Sequence, residues 1–258
     1  MALSTHREGD CRLAHAVSRA KSARMAHGLY AEEGDPYTQW SHVMLDGKND
    51  TAATGDPTNP TAQRADGSGA GLAIEEYEGC RVLIQDGAIL SVDVTSGNPP
   101  FGYWTAMLPA GTPRNALLLG LGAGTLAHLL TRRFPGIQIV GVDNDPRLIE
   151  FARLHFDLSL PNLDVVIGDA FTYTADCRER FDYVAVDLFC GHAFQRAVLS
   201  KPFLRHIRTI AGPTGEIVVN LFKDRRGNVY VGRLSRILAI HHVDRLPHNI
   251  VVHCRAAP

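Results

Sequence analysis

The sequence predicts an α/β fold: a mostly parallel sheet that ends in an antiparallel hairpin and is preceded by a small N-terminal β-hairpin. After Arg114, short apolar runs alternate with segments of helix length, which is typical of strands buried on both faces of a parallel sheet. Near the C-terminus two apolar runs flank a Pro-His-Asn turn, and near residue 86 an Asp-Gly dipeptide separates two strand-like runs. Together these patterns indicate one main domain with a β arm in front of it.

Composition divides the chain into three parts. Residues 45–71 are dense in Gly, Asp, Asn, Thr, Pro and Ala and almost lack large apolar side chains, so burial cannot offset the entropy of ordering them. We therefore expect residues 1–72 to form a tail and linker that is partly disordered. Residues 73–112 are expected to form the β-hairpin arm and a short helix, and residues 113–258 the main domain.

The arm is predicted from its turn. Residues 80–84 and 88–92 are strand-like and flank Asp86 and Gly87, and an Asp-Gly pair readily supplies the positive φ that a tight hairpin turn needs. Residues 103–108 then predict a short helix, which the Pro and Gly residues after it would end.

The main domain is predicted as alternating strands and helices. Its parallel strands are predicted at residues 116–120, 137–142, 163–167, 183–186 and 216–222. Pro146 opens the second helix, where it is tolerated because its missing N–H has no partner in the first turn. The helices are predicted at residues 126–134, 147–156 and 229–240, and the closing hairpin at residues 242–246 and 250–254.

Three glycines follow the first strand of the main domain. Gly120, Gly122 and Gly124 allow the backbone to bend sharply and to approach a ligand closely, while the start of the next helix offers free N–H groups to a polar or anionic group. A nicotinamide-dinucleotide fingerprint would need Gly or Ala at the next position, where this chain has Thr125. The loop predicts a cofactor site without by itself naming the cofactor.

Acidic residues end the second strand. Asp143 lies where a carboxylate accepts the two hydroxyl groups of an adenosine ribose, and Asn144 beside it is included among the cofactor-binding residues. Asp145 stands at a helix start, just before a proline. We therefore expect Asp145 to cap the helix and Asp143 to bind the cofactor.

Two further strands also end in aspartate. The third is followed by Asp169 and Ala170, which suit the amino group and a ring nitrogen of adenine, with a helix cap as the alternative role for Asp169. The fourth ends at Asp187, on the edge where ligands of open α/β sheets bind, so Asp187 is also expected to bind the cofactor. A glycine loop followed by these acids in this order favours the adenosyl sulfonium cofactor S-adenosyl-L-methionine over a nicotinamide.

From about residue 74 to residue 222 the chain resembles the spermidine synthase family. The resemblance rests on the hairpin with its Asp-Gly turn, the Tyr103 segment and the glycine loop with the sheet that follows. It implies the Rossmann-like sheet of class I methyltransferases and a transferase that uses an S-adenosylmethionine-type donor.

The departures from that family concern the chemistry. Aminopropyltransferases carry an aspartate in the glycine loop, a glutamine after the Asp-Gly turn and a Tyr-His pair. At these positions the chain has Ala123, Leu90 and the pair Tyr103-Trp104. Residues 189–203 contain no Asp or Glu, and burying the ammonium groups of a polyamine without carboxylate partners is costly.

We therefore expect S-adenosyl-L-methionine-dependent methyl transfer to a small apolar or anionic acceptor. One alternative is a spermidine synthase-like aminopropyltransferase that uses decarboxylated S-adenosylmethionine. The other is a scaffold that binds an adenosyl compound without catalysis.

Three residues are candidates for the chemistry itself. Methyl transfer from a sulfonium needs an aligned acceptor and, for an O–H or N–H acceptor, a base. Asp187 and His192 are candidate bases, the histidine because the pKa of free histidine lies near neutrality, although a loop histidine is also a common solvated surface residue. Tyr103 and its neighbour Trp104 would line the acceptor pocket or, alternatively, pack in the core.

Charge and composition limit the partners. A formal net charge of -1 gives no electrostatic reason to bind nucleic acid or an anionic membrane, and no run reaches the roughly 18 apolar residues of a membrane span. We expect a cytoplasmic protein, with a hairpin edge compatible with a homodimer. His241 and His242 should face opposite sides of a strand, so no metal site is expected.

Overall fold

The computed structural model describes residues 63–64, 71–77, 79–85, 87–95, 101–190 and 193–256. The predicted tail falls outside these residues except at 63–64 and 71–72. Asp86 of the arm turn and His192 of the candidate site fall outside them as well. Among the helices in the described part, none has the length and apolarity needed to cross a bilayer.

A four-stranded antiparallel sheet precedes the main domain. Its strands are, in order both along the chain and across the sheet, β1 (Gln63–Arg64), β2 (Leu72–Tyr77), β3 (Cys80–Gln85) and β4 (Ala88–Val92). The predicted hairpin is confirmed as β3 and β4, and Gly87 has the positive φ, 78°, that its turn needs. β1 and β2 pair onto this hairpin and extend the arm beyond the prediction.

A seven-stranded sheet forms the centre of the main domain. The remaining strands are β5 (Asn115–Leu119), β6 (Gln138–Asp143), β7 (Leu163–Ile167), β8 (Tyr183–Val186), β9 (Phe189–Cys190), β10 (Ala193–Phe194), β11 (Glu216–Phe222), β12 (Leu238–Arg245) and β13 (Asn249–Ala256). β9 and β10 form a small separate hairpin, and the other seven follow the order β12-β13-β11-β8-β5-β6-β7. Five of these are parallel, and β13 runs antiparallel to both of its neighbours. The predicted mostly parallel sheet with a terminal antiparallel hairpin is confirmed.

Helices lie between the parallel strands. They are α1 (Thr125–Arg133), α2 (Pro146–His155), α3 (Ala170–Asp176), α4 (Lys201–Ala211) and α5 (Gly227–Leu234), with a short 3-10 helix at Arg196–Leu199. The prediction of one helix over residues 229–240 is wrong in its second half. α5 ends at Leu234, because the chain from Leu238 onward pairs with β13, beginning opposite Ala256.

Residues 103–108, predicted as a short helix, form a single helical turn. The N–H of Met107 donates to the carbonyl of Tyr103 at 3.1 Å, but the helix does not continue. Pro109 offers no N–H and disfavours helical backbone in the residue before it. The carbonyls of Ala106 and Met107 accept hydrogen bonds from side chains of the sheet instead.

The expectation that His241 and His242 face opposite sides is wrong. The pairing of β12 with β13 shifts between Ile240 and His242, which marks a β-bulge at His241. As a result, the ring centroids of both histidines lie near that of His253, at 6.0 and 5.7 Å. The described residues nevertheless contain no group of three or more His, Cys, Asp or Glu side chains that could hold a metal ion.

The two faces of the central sheet differ in polarity. On one face, apolar side chains of the strands join a buried core with α4 and α5, among them Val184, Val186, Ile217, Val219 and Leu221. Because side chains alternate along a strand, the neighbouring residues point to the opposite face. That opposite face carries the polar side chains Tyr183, Asp187, Glu216, Asn220 and His253, and it holds the candidate site.

Candidate active site

The glycines of the predicted loop lie where no side chain fits. Gly120, Gly122 and Gly124 have φ values of 87°, 57° and 87°. A Cβ at Gly120 would lie 2.1 Å from the backbone oxygen of Asp187, and one at Gly122 would lie 2.8 Å from the hydroxyl oxygen of Ser91. The glycines therefore let this loop pack directly against the end of β8 and against the arm.

The carboxylate of Asp143 faces this loop. Its Oδ2 accepts the N–H groups of Leu121 and Gly122 at 3.0 and 3.1 Å, and its Oδ1 accepts the N–H of Asp145 at 3.1 Å. Asp143 thus holds the loop in place, at the position where the sequence predicts a ribose. The expected role of Asp145 as the cap of α2 is confirmed, since its carboxylate accepts the N–H of Arg147 at 3.0 Å.

The arm is joined to the glycine loop by two hydroxyl side chains that the sequence interpretation missed. Ser91 Oγ accepts the N–H of Ala123 at 2.7 Å. Thr125 Oγ1 accepts the N–H of Val92 at 2.9 Å and donates to the Val92 carbonyl at 2.8 Å. The sequence did contain a signal for this contact, because Thr125 stands where a nicotinamide fingerprint has Gly or Ala. The hydroxyl of Thr125 makes the hydrogen bonds to Val92.

Asp169, which follows the third parallel strand, β7, caps the next helix. Asp169 caps α3: its Oδ2 accepts the N–H of Thr172 at 2.7 Å and the hydroxyl of Thr172 at 2.9 Å. Asp169 and Asn144 are exposed, and Ala170 is buried at the start of the helix. The alternative of a helix cap therefore describes Asp169, and contacts of these three residues with adenosine stay a prediction.

Asp187 lies at the centre of a hydrogen-bonded group at the end of β8. Its Oδ2 accepts the hydroxyl of Tyr103 at 2.9 Å, and its Oδ1 accepts the side-chain N–H of Asn220 at 2.8 Å. Asn249 in turn donates to the amide oxygen of Asn220 at 2.9 Å. The structure thus brings together two of the predicted catalytic residues, Asp187 and Tyr103.

The environment of Asp187 makes it a proton acceptor near neutrality. Burial raises the pKa of its carboxyl to about 6, and the nearby charge of Asp143 acts in the same direction. The hydrogen bonds from Asn220 and Tyr103 oppose this rise, because they stabilise the carboxylate form. A carboxylate with such a pKa is largely ionised at pH 7, yet it binds a proton far more readily than an ordinary aspartate does.

Asn220 is a site residue that the sequence interpretation missed. It lies within β11, which was interpreted only as an apolar strand, and it is 2% exposed. The sequence did contain a signal for it, namely an amide side chain inside a run of apolar residues. A buried side chain of this kind needs hydrogen-bond partners. Its partners here are Asp187 and Asn249.

The remaining predicted residues are separated by the structure. Tyr103 is half-buried and reaches Asp187, whereas Trp104 is 5% exposed and packs in the core. The two rings stack, with centroids 4.3 Å apart. Of the two roles considered for this pair, core packing therefore applies to Trp104. His192 lies outside the described residues and stays a prediction.

Comparison with known protein families matches residues 115–256 to the family described as Methyltransferase domain. The chain belongs to this family. The matched region of this methyltransferase domain begins at β5 and ends in β13, so it contains the glycine loop, Asp143 and Asp187.

Curated relatives of the methyltransferase domain fall into two groups. The chain is 31% identical over 118 residues to an eEF1A lysine and N-terminal methyltransferase homolog of Drosophila melanogaster, covering 42% of this chain and 18% of that protein. It is 28% identical over 141 residues to a polyamine aminopropyltransferase of Chromobacterium violaceum, covering 50% of this chain and 54% of that protein. The chain therefore spans about half or less of the length of these relatives.

Solved structures agree with this fold. A probable spermidine synthase from Corynebacterium glutamicum is similar with a TM-score of 0.64 at 18% identity, covering 76% of this chain and 81% of that one. Human methyltransferase-like protein 13, solved in complex with SAH, is similar with a TM-score of 0.52 at 24% identity, covering 57% of this chain and 73% of that one. The predicted spermidine synthase-like fold of the class I methyltransferase type is confirmed.

Proposed function

We propose that this protein is an S-adenosyl-L-methionine-dependent methyltransferase that acts on a small-molecule acceptor, with Asp187 as the base. The observation that carries the proposal is the hydrogen-bonded group of Tyr103, Asp187 and Asn220 beside the glycine loop. Membership of the methyltransferase family supports it.

The residues around the loop fit S-adenosyl-L-methionine. A carboxylate oxygen has room for two hydrogen bonds. Within the described part of the chain, Oδ1 of Asp143 accepts one, from the N–H of Asp145, which leaves capacity for a ribose hydroxyl. Gly120, Gly122 and Gly124 would adjoin the sulfur-bearing part, and Asn144, Asp169 and Ala170 the nucleoside. The cofactor itself supplies an activated methyl group on a sulfonium sulfur, so the protein needs only to align the acceptor and take its proton.

Asp187 would take that proton. The hydroxyl of Tyr103 and the amide of Asn220 both donate to Asp187, so they orient the carboxylate and keep it ionised before the reaction. Tyr103 is half-buried, and the proposal places the acceptor beside its hydroxyl and Asp187. His192 stays a second candidate for the same role.

The acceptor is proposed to be apolar or anionic. The segment after Asp187 lacks acidic residues through residue 203 and carries the exposed Arg196. A polyamine placed there would lose water from several ammonium groups without gaining carboxylate partners.

Calorimetry with four ligands tests the proposal: S-adenosylmethionine, its decarboxylated form, and the two thioether products, S-adenosylhomocysteine and methylthioadenosine. We expect S-adenosylmethionine and S-adenosylhomocysteine to bind more tightly than the other pair. Tighter binding of the decarboxylated donor would instead favour aminopropyl transfer, the activity named for the Chromobacterium violaceum relative.

Turnover separates catalysis from binding alone. With a panel of O–H, N–H and carboxylate acceptors, we expect formation of S-adenosylhomocysteine with at least one of them. Tight binding of S-adenosylmethionine without any turnover over the panel would favour the non-catalytic scaffold.

We further propose a cytoplasmic location, without nucleic-acid or membrane partners, and a homodimer formed through the arm. The thiols of Cys80, Cys177 and Cys254 are free, as in a reducing compartment. Light scattering of the purified chain measures the oligomeric state, and a monomer at micromolar concentration would exclude the dimer.

A further inference from the structure

The segment that carries Tyr103 depends on the sheet for its shape. Residues 101–110 form one helical turn and no further regular structure. A single turn is not stable by itself, because it fixes several dihedral angles for very few hydrogen bonds. Contacts with other parts of the protein therefore decide where Tyr103 lies: Trp104 and Met107 are buried, and the polar face of the central sheet supplies hydrogen bonds.

Three buried side chains of the sheet supply these contacts. The Tyr183 hydroxyl donates to the carbonyl of Met107. His253 Nε2 lies 2.8 Å from the carbonyl oxygen of Ala106, to which it donates when protonated. Glu216 Oε2 accepts the N–H of Ala110 at 3.1 Å. The three sheet residues are here called the anchor residues.

Two of the anchor residues also bind each other. His253 Nδ1 lies 2.9 Å from Oε1 of Glu216, and the two residues are 6% and 7% exposed. Burial by itself would lower the pKa of His253 and raise the pKa of Glu216. Burial is the largest single influence on each group, but their mutual hydrogen bond, the hydrogen bonds with the Ala106 and Ala110 backbone and the neighbouring charges together outweigh it. The pKa of His253 is therefore raised and that of Glu216 is lowered. The histidine with both ring nitrogens protonated can donate to Glu216 and to Ala106 at the same time.

Other ionisable groups face this pair from the neighbouring strands. From β12, His241 lies 4.0 Å from Glu216, and Asp244 lies 3.8 Å from His253 Nε2 and 2.9 Å from His242. Arg255 of β13 adds a positive charge near His241. Cys254 belongs to the apolar face, where burial, with a smaller effect of the Glu216 charge, raises its pKa to about 12. Such a buried ionic group is a poor source of net stability, because its desolvation offsets much of the attraction.

We propose that Tyr183, Glu216 and His253 are positioning residues for Tyr103, which hold its segment on the sheet so that the phenol reaches Asp187. This inference rests on the proposed function, in which Tyr103 and Asp187 form the reaction centre. Within the described part of the chain, none of the three anchor residues forms a hydrogen bond with the glycine loop or with Asp187. In this proposal they therefore act through Tyr103.

Strand β11 links the two ends of this arrangement. Glu216 and Asn220 lie four residues apart on one strand and therefore on the same face of the sheet. Glu216 holds Ala110 at one end of the segment, while Asn220 holds Asp187 near the other. A single strand thus contributes a hydrogen bond to the placement of each partner of the Tyr103–Asp187 pair.

The titration of the Asp187 carboxyl tests the proposal without an acceptor. The 258-residue chain is labelled with [4-13C]aspartate, and the Asp187 signal is assigned by its loss in Asp187→Asn. We expect Tyr103→Phe to raise the pKa of Asp187 by about one pH unit, because it removes a hydrogen bond to the ionised form. We expect Tyr183→Phe and His253→Leu to raise it in the same direction.

Three further variants show whether the effect passes through Tyr103. In the Tyr103→Phe background, Tyr183→Phe should cause no additional rise. His253→Gln, whose amide can still donate to Ala106, should restore the wild-type titration. His128→Leu is the matched control, because His128 is also buried against a backbone carbonyl, that of Phe156 at 3.0 Å, and should leave Asp187 unchanged.

The outcomes distinguish this inference from the proposed function. An unchanged Asp187 titration in folded Tyr183→Phe, or an equal rise with and without Tyr103, would overturn the positioning role. Since His253→Leu leaves Glu216 buried without its partner and can unfold the protein, Tyr183→Phe alone suffices for this decision. If the wild-type protein does not bind S-adenosylmethionine, the proposed function is contradicted instead. Calorimetry measures this binding separately.

Discussion

The Tyr103 hydroxyl donates a 2.9 Å hydrogen bond to Oδ2 of Asp187, although 84 residues separate the two in the chain. Tyr103 comes from the segment between the arm and the main domain, and Asp187 from the end of a central strand. The site is therefore assembled from both sides of residue 113, where the sequence suggested a boundary.

Asp187→Asn is expected to lower methyl transfer to an O–H or N–H acceptor by a factor of about 10² to 10⁴, the usual contribution of a general base. Binding of S-adenosylmethionine should persist, because the amide retains much of the shape of the carboxyl group. The rate is measured as formation of S-adenosylhomocysteine. Asp164→Asn, a change of the same kind at an exposed position of β7, serves as control and should leave the rate unchanged.

The rate should also depend on pH through Asp187. Since its pKa is raised to about 6, the base form is lost as the pH falls below about 6, and kcat/KM should drop there and level off above it. The measurement is a pH–rate profile between pH 5 and 8 with buffers of constant ionic strength. A flat profile over this range would contradict the assignment of Asp187 as the base.

Folding stability should depend on Asp187 with the opposite pH dependence: the contribution of Asp187 to stability falls as the pH rises, whereas kcat/KM rises. The pKa of Asp187 is higher in the folded protein than its usual value of 3.8, so the folded state binds this proton more tightly than the unfolded state does. Its contribution to stability is therefore fully present below the usual value and is lost as the pH rises through about 6. Urea unfolding should show wild type losing stability relative to Asp187→Asn between pH 4 and pH 7.

Thr125→Val should loosen the glycine loop. The change keeps the shape of the side chain but removes both hydrogen bonds to Val92, and leaving buried backbone groups without partners costs about 1–3 kcal/mol. We expect lower thermal stability and weaker S-adenosylmethionine binding by calorimetry. Thr131→Val, on the same helix but away from the loop, is the control: it removes hydrogen bonds with Asn162 instead of those with Val92 and should leave binding intact.

Gly120→Ala should prevent the loop from packing against the end of β8. Its Cβ would meet the backbone oxygen of Asp187 at 2.1 Å, so the backbone must move. Gly136→Ala has nearly the same φ, 86°, but no atom within 4 Å of its new Cβ, so it should cost only the roughly 1–2 kcal/mol of a left-handed backbone conformation. Equal loss of S-adenosylmethionine binding in the two variants would show that the close contact is unimportant.

The sequence predicts the central sheet well because burial on both faces leaves a strong apolar signal. Strands β7, β8 and β11 begin and end where the apolar runs do, and Asp145 caps its helix as expected. Asp143 and Asp187 are also predicted, because the carboxyl ends of parallel strands meet at one edge of the sheet.

The residues that the sequence did not reveal act through contacts between distant segments. Asn220, Ser91 and the pair Glu216–His253 acquire their roles only from partners at least 29 residues away. No local pattern encodes such pairs. The β-bulge at His241 is missed for a related reason, since it is a property of the pairing between β12 and β13 rather than of either strand.

The hydrogen bonds that join Ser91 and Val92 of the arm to the start of α1 affect where the chain can be shortened. A fragment beginning at residue 113 would keep the whole region that matches the family. In that fragment the N–H of Ala123 and the hydroxyl of Thr125 would lose their hydrogen-bond partners in the arm, and the glycine loop would lose the strand that packs against it. We therefore expect a fragment that includes the arm to keep the shape of the glycine loop better than one that begins at residue 113.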